Sequence, residues 1–384
     1  MKALNHPSWR IVNIYHGIRA IPAFIIGLIP TWAHAEFGLN LHAPASGLAQ
    51  DIYDLHTVIL WICLAIFIAV FVPMFFALIR HRKSRGHQAA TFHDNLWVEI
   101  IWTIIPVLIL LAMAWPATKL VVSMKDTSKE DLTIKVTGHQ WKWEYEYLGE
   151  NIRFMSNSST PKEQIDGAQP KGENYLLEVD RPLVVPAGKK IRLVMTSSDV
   201  IHAWWVPAFG IKQDAVPGFI RDAWFKADAP GIYRGQCAEL CGVGHGFMPV
   251  VVEVVTPEQF ATWQQQQKTL VAAASANAGK TYELAELKAL GEKVYATNCM
   301  ACHQPTGMGI PGAFPALSGS ELIAAGKAEH IDIILNGKPG TAMAAFGKQL
   351  SDLDLAAVIT YERNSWDNKL GDVVQPADVT ARRK

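Results

Sequence analysis

Leu132-Thr-Ile-Lys-Val136 and Trp141-Lys-Trp-Glu-Tyr-Glu-Tyr147 alternate apolar or aromatic side chains with polar ones. A period of two puts successive side chains on opposite faces of an extended chain, so both segments predict strands with one face in a core and the other toward water. Ile191-Arg-Leu-Val-Met195 and Val250-Val-Val-Glu-Val-Val255 repeat the pattern. Together they predict an antiparallel sandwich or barrel over residues 126–260, a segment in which about 120 residues suffice to bury one core.

Inside this segment runs Cys237-Ala-Glu-Leu-Cys241-Gly-Val-Gly-His245-Gly-Phe-Met248. Its glycines permit the turns that aim several side chains inward, which makes it a loop rather than a helix. Two thiolates, an imidazole and a thioether form a soft donor set that selects copper, zinc or iron–sulfur centres over magnesium or calcium, and the thioether suits copper in electron transfer. A further ligand is needed. His202, at the end of the strand-like run Ser197-Ser-Asp-Val-Ile-His202, is the candidate. A closed zinc centre with two cysteines and two histidines is the competing reading, and two loops converging with a methionine favour copper.

Downstream, Thr256-Pro-Glu-Gln259 opens a helix with Thr256 as its cap, Pro257 in the first turn and Gln259 completing a capping box. The helix is expected to fade into a linker over 261–282, which would tether the C-terminal segment at high effective concentration. Cys299-Met-Ala-Cys302-His303 then carries the CxxCH pattern of covalent haem c attachment. Both thiols bond the haem vinyl groups, His303 becomes one axial iron ligand, and the second must come from a distant loop. Met343 is chosen over Met308, which lies too near His303 to reach the opposite haem face. Helical stripes at Leu287, Leu290, Val294 and Tyr295, and a last helix opened by Ser351, predict a small all-α domain over 283–384.

Toward the N-terminus, 58–79 and 96–115 are apolar runs long enough to cross a bilayer of about 30 Å hydrocarbon thickness. They predict a transmembrane hairpin within 36–125. Arg80, Arg82, Lys83 and Arg85 lie between the spans, which puts that loop in the cytoplasm and both ends outside. Residues 1–35, with Lys2, Arg10 and Arg19 ahead of a short apolar stretch and Ala33-His-Ala35, read as a signal peptide. Of five cysteines, four belong to the two redox motifs and Cys63 falls in an apolar run, leaving no disulfide framework. Equal numbers of basic and acidic residues, 35 each, give no support for nucleic-acid binding.

These motifs, with Lys212-Gln-Asp-Ala-Val-Pro-Gly218, Gly138-His-Gln-Trp-Lys-Trp143 and Glu99-Ile-Ile-Trp-Thr-Ile-Ile-Pro106, closely resemble subunit II of haem–copper cytochrome c oxidases in the caa3-type form with a fused cytochrome c domain. The resemblance implies a multi-domain membrane protein: a two-helix hairpin, an all-β cupredoxin-like barrel and an all-α cytochrome c domain. It implies a dinuclear CuA centre in which Cys237 and Cys241 bridge both coppers, His202 and His245 each bind one, and Met248 and the carbonyl of Glu239 complete the pair. It implies haem c on Cys299 and Cys302 with His303 and Met343 as axial ligands, and a magnesium ion that Glu239 shares with subunit I.

By the same resemblance Trp141 receives electrons from a docked donor, and Glu99, an intramembrane carboxylate, marks the mouth of a proton channel. Lys142 stands where family members often carry tyrosine, and Asp214, Asp222 and Glu144 are candidates for an acidic docking face. The implied function is passage of electrons through haem c and CuA to haem in subunit I, where oxygen is reduced to water with proton translocation. The implied partners are subunits I and III, a periplasmic redox donor and membrane lipid, at a bacterial inner membrane. A CuA subunit of a nitric oxide reductase and a membrane-tethered copper-delivery module are the alternatives.

Overall fold

β1 (Leu132–His139) and β2 (Lys142–Tyr147) form a hairpin whose register pairs Ile134 with Tyr147 and Val136 with Tyr145. Ile134, Val136, Trp143, Tyr145 and Tyr147 are all buried in one core, as their alternation requires. The computed structural model describes residues 40–86, 88, 90–276, 279–347 and 349–383. The expected signal segment therefore lies outside the described residues.

The other strands are β3 (Ile152–Ser156), β4 (Leu183–Pro186), β5 (Ile191–Ser197), β6 (His202–Val206), β7 (Ile211–Ala215), β8 (Arg221–Phe225), β9 (Gly231–Cys237) and β10 (Pro249–Val255). Two five-stranded sheets result, ordered β3-β2-β1-β5-β8 and β4-β10-β9-β6-β7. Two pairings, β1 with β5 and β4 with β10, are parallel. The antiparallel expectation missed them because alternation reads the same in either chain direction; the long connection after β3 sets the direction. Phe209 and Phe225 stack at 4.6 Å between ring centroids in the shared core, beside Trp204. Each such buried aromatic contributes about 1.5–3 kcal/mol of apolar burial.

α1 (Gly47–Arg80) and α2 (Leu96–Lys125) are apolar enough to cross a membrane, and both exceed the expected spans. Their extra turns reach the barrel. Ser46 caps α1 by accepting from the Ala49 N–H and donates its hydroxyl to the Phe209 carbonyl, while Trp224 Nε1 donates to the Ser123 carbonyl near the end of α2.

A short helix, α3 (Lys162–Ile165), lies in the β3–β4 connection, and α4 (Pro257–Ala276) follows the barrel. The capping box forms as expected, with Thr256 and Gln259 exchanging hydrogen bonds of 3.0 and 3.3 Å. The helix does not fade at the glutamines: it continues to Ala276, because glutamine and alanine are strong helix formers. Lys268 pairs with Glu150 and Arg181 donates to Gln267, which ties α4 to the barrel over much of its length. Most of the expected linker is thus an ordered helix.

The C-terminal domain contains α5 (Leu284–Asn298), α6 (Met300–His303), α7 (Glu321–Ala325), α8 (Lys327–Asn336), α9 (Asp352–Arg363) and α10 (Pro376–Arg382). α5 crosses α9 at Gly291, where a methyl group would lie 2.5 Å from the Ala357 carbonyl carbon, so only glycine permits this approach. Ser351 caps α9 by accepting from the Asp354 N–H. α10, beyond the helix expected to be last, packs against α9.

Candidate metal centre and haem site

β9 ends at Cys237 and β10 begins after Met248, so the ladder between them holds both ends of the loop at one rim of the barrel. Cys237, Cys241 and Met248 are buried there. The two sulfurs lie 3.9 Å apart, Cys241 Sγ is 3.6 Å from His245 Nδ1 and 3.5 Å from Met248 Sδ, and the Glu239 carbonyl faces Cys237 Sγ at 3.3 Å. His202 reaches the same point from the neighbouring strand, since Trp204 of β6 pairs with Cys237 of β9. It starts β6 rather than ending a strand. The ligand atoms of His202, Cys237 and Cys241 all lie within 4.8 Å of one another.

His202 supplies the test of whether a metal fits. Its Nε2 lies 2.8 Å from Asp199 Oδ1, whereas its Nδ1 is buried without a hydrogen-bond partner. An orphaned ring nitrogen facing two thiols, oriented by a carboxylate on its other side, is the arrangement of a metal-ligating histidine. The thiols agree. Cys237 is pulled well down, chiefly by a hydrogen bond from Cys241, while Cys241 is pushed up by that same hydrogen bond, by burial and by the opposition to a second thiolate beside the first. A soft cation relieves that opposition and holds both as thiolates.

Residues that the motif alone did not single out complete this pocket. Gly138 makes room for His202, whose Cδ2 would lie 2.7 Å from an added methyl carbon. Gln140 Nε2 and Trp141 Nε1 both donate to the Cys241 carbonyl, at 2.8 and 3.1 Å. Trp141 is therefore one hydrogen bond from a cysteine of the centre. Gly138 and Gln140 lie in quoted motifs, but neither carries chemistry that would draw attention by itself.

In the C-terminal domain Cys299, Met343, Phe346 and Trp366 pack around one apolar cluster. His303 Nδ1 lies 3.0 Å from the Pro315 carbonyl, an arrangement that fixes the ring and leaves Nε2 for iron. Met343 joins the cluster that includes Cys299, whereas Met308 is 58% exposed. Cys299, Cys302, His303 and Met343 thus suit a covalently held haem. Glu99 lies in the first turn of α2, exposed. The proposed acidic face does not assemble: Asp214 pairs with Lys212 on the other sheet, Asp222 with Arg192, and Glu144 is buried against His139 and Arg153.

A family model for the periplasmic domain of cytochrome c oxidase subunit II matches residues 132–255, and one for its transmembrane domain matches 34–120. Cytochrome c oxidase subunit 2 of Cereibacter sphaeroides is 38% identical over 263 residues, covering 65% of this chain and 84% of that protein. The chain belongs to the cytochrome c oxidase subunit II family. The probable subunit 2 of Rickettsia prowazekii is 40% identical over 227 residues, 59% of this chain and 71% of that protein.

A crystal structure of the periplasmic domain of subunit II from Bradyrhizobium japonicum is 44% identical, covering 37% of this chain and 97% of that one, with a TM-score of 0.34. Beyond the family's own domains, the model of cbb3-type cytochrome c oxidase subunit III matches 286–361. Family membership thus joins a membrane anchor, the β-rich periplasmic domain and a C-terminal cytochrome c domain in one chain, and implies copper and haem c as cofactors.

Proposed function

We propose that this chain is the subunit at which electrons enter a terminal respiratory oxidase, passing from a periplasmic donor through haem c to a dinuclear CuA centre and on to haem in subunit I, where oxygen is reduced to water with proton translocation. The observation that carries this reading is the convergence of the His202, Cys237 and Cys241 ligand atoms in one buried pocket, on a chain that also holds a CxxCH domain. Bound copper and haem supply reversible one-electron chemistry. Cys237 and Cys241 supply two thiolates, His202 and His245 one imidazole each, and Met248 and the Glu239 carbonyl the remaining donors. Cys299 and Cys302 would anchor the haem, and His303 and Met343 would supply ligands to its iron.

Trp141, hydrogen-bonded to the Cys241 carbonyl, stands in the path by which electrons arrive. Glu99 takes up protons at the cytoplasmic end of α2, and the Glu239 carboxylate holds magnesium jointly with subunit I. Subunits I and III complete the assembly, in a bacterial inner membrane crossed twice, with both soluble domains on the periplasmic side. A copper-delivery module has no use for a second redox centre. The test is metal analysis with optical and EPR spectra on the copper-loaded chain. Two coppers and one haem, with the mixed-valence copper signal lost in Cys241→Ser, are expected; one zinc or a single copper overturns the reading.

A further inference from the structure

β2 is buried on both faces. Trp143 and Tyr145 point into the barrel core, and the alternate residues Lys142 and Glu144 would face water in an isolated barrel, yet they are 4% and 3% exposed. The C-terminal domain provides the cover. Lys142 Nζ donates to Asn298 Oδ1 at 2.8 Å and lies 5.0 Å from the centroid of the Phe346 ring. A cleft of about 220 Å³ beside this contact is lined by Glu144, Arg153 and Met155 from the barrel and by Gln349, Leu350 and Ser351 from the other domain.

Two neighbourhoods meet at Lys142. Asn298 immediately precedes Cys299, and Phe346 follows Met343 by three positions, so the ammonium touches the segments on which haem attachment and axial ligation rest. On the barrel side, Trp141 adjoins it in sequence and is bonded to the Cys241 carbonyl. Burial pulls Lys142 down to about 8, and the nearby acidic groups, Asp199, Asp180 and Glu144 among them, offset only part of the cost of removing an ammonium from water. Glu144 is itself paired with His139 and Arg153, Asp199 with His202, and Asp180 with Asn157. Because α4 is pinned to the barrel as far as Lys268, little free chain separates the two domains. The loop-closure cost of docking is correspondingly small.

We propose that Lys142 is the latch that seats the haem domain on the electron-accepting face of the barrel, so that the two domains work from one docked geometry rather than as a freely swinging tether. This rests on the electron-transfer reading above, which assigns that face its role. Lys142→Glu places a carboxylate among Glu144, Asp199 and Asp180, and Asn298→Lys sets two ammonium groups against each other from the opposite domain. Each opens the interface, and the double variant K142E/N298K restores a pair of opposite charges across it.

The experiment is hydroxyl-radical footprinting of the full copper-loaded, haem-bearing chain, read by mass spectrometry at Met155 and Phe346, with exposed Met308 as internal reference. Oxidation at Met155 and Phe346 is expected to rise severalfold in each single variant and to fall back in the double. Unchanged oxidation in both single variants, or a double variant as open as either, overturns the latch. Copper and haem content measured on the same samples separates the outcomes: full content with an unchanged footprint removes only the latch, whereas missing copper or haem removes the electron-transfer reading.

Discussion

Gly244→Ala tests the link between the copper loop and Trp141. Gly244 has φ −93° and ψ 14°, a backbone conformation that alanine also adopts, so the substitution adds no backbone strain. The added methyl carbon, however, would lie 2.5 Å from Trp141 Cγ. Carbon atoms rest at about 3.5–4.0 Å, so the indole must retreat by about 1 Å. That shift breaks the 3.1 Å bond from Trp141 Nε1 to the Cys241 carbonyl.

Overpacking costs about 1–3 kcal/mol and the lost hydrogen bond about 0.5–1.5 kcal/mol, giving roughly 1.5–4.5 kcal/mol together. For a domain of this size about 4 °C accompanies each kcal/mol, so the barrel should melt roughly 6–18 °C lower. The assay is thermal unfolding followed by the copper absorption band, which reports the barrel and not the haem domain. Repeated with Trp141→Leu as background, Gly244→Ala should cost much less, because the ring it displaces is gone. An alanine variant that melts with the parent chain, or a penalty that persists in the leucine background, refutes the reasoning.

Gly138→Ala should weaken copper binding with little change in the barrel's fold, since its methyl displaces the His202 ring; competition against a chelator measures it. Gly291→Ala should destabilise the haem domain by about 3 kcal/mol or more, because its methyl meets backbone on α9 that cannot yield, and thermal loss of the haem band reports it. The Arg363 guanidinium, bonded to both oxygens of Asp372, holds that carboxyl below its ordinary 3.8. A depressed carboxyl contributes stability that is fully present above its unfolded-state value and is lost as pH falls through the lower folded value. Haem-domain stability should therefore lose this contribution only below about pH 4, and Asp372→Asn should cost about 2 kcal/mol at neutral pH in denaturant melts while abolishing that part of the acid sensitivity. Glu99→Gln should slow turnover of the assembled oxidase with copper and haem spectra intact; unchanged turnover removes the proton-uptake role.

Much was legible in the chain before any fold was known. Local chemistry explains why: thiolates, imidazoles and thioethers at short spacing, CxxCH, and long apolar runs each announce themselves within a few residues of one another. Strand alternation likewise marked β1, β2, β5 and β10, because one-sided burial imposes a period of two. Five strands, β3, β4, β7, β8 and β9, escaped notice, being too brief or too mixed to show a period. The parallel direction of two pairings escaped as well, as did the persistence of α4 through the glutamine-rich stretch.

The tertiary structure was required wherever residues distant in sequence must meet. His202 joins Cys237 only because β6 lies beside β9, and its orphaned Nδ1 is visible only once Asp199 is seen to occupy Nε2. Lys142 reads in sequence as the polar position of a half-exposed strand; its burial against Asn298 and Phe346 comes from docking of a domain more than 150 positions away. Motif chemistry is written in adjacent residues and survives without a fold, whereas burial, orphaned donors and domain contacts are properties of the packed chain.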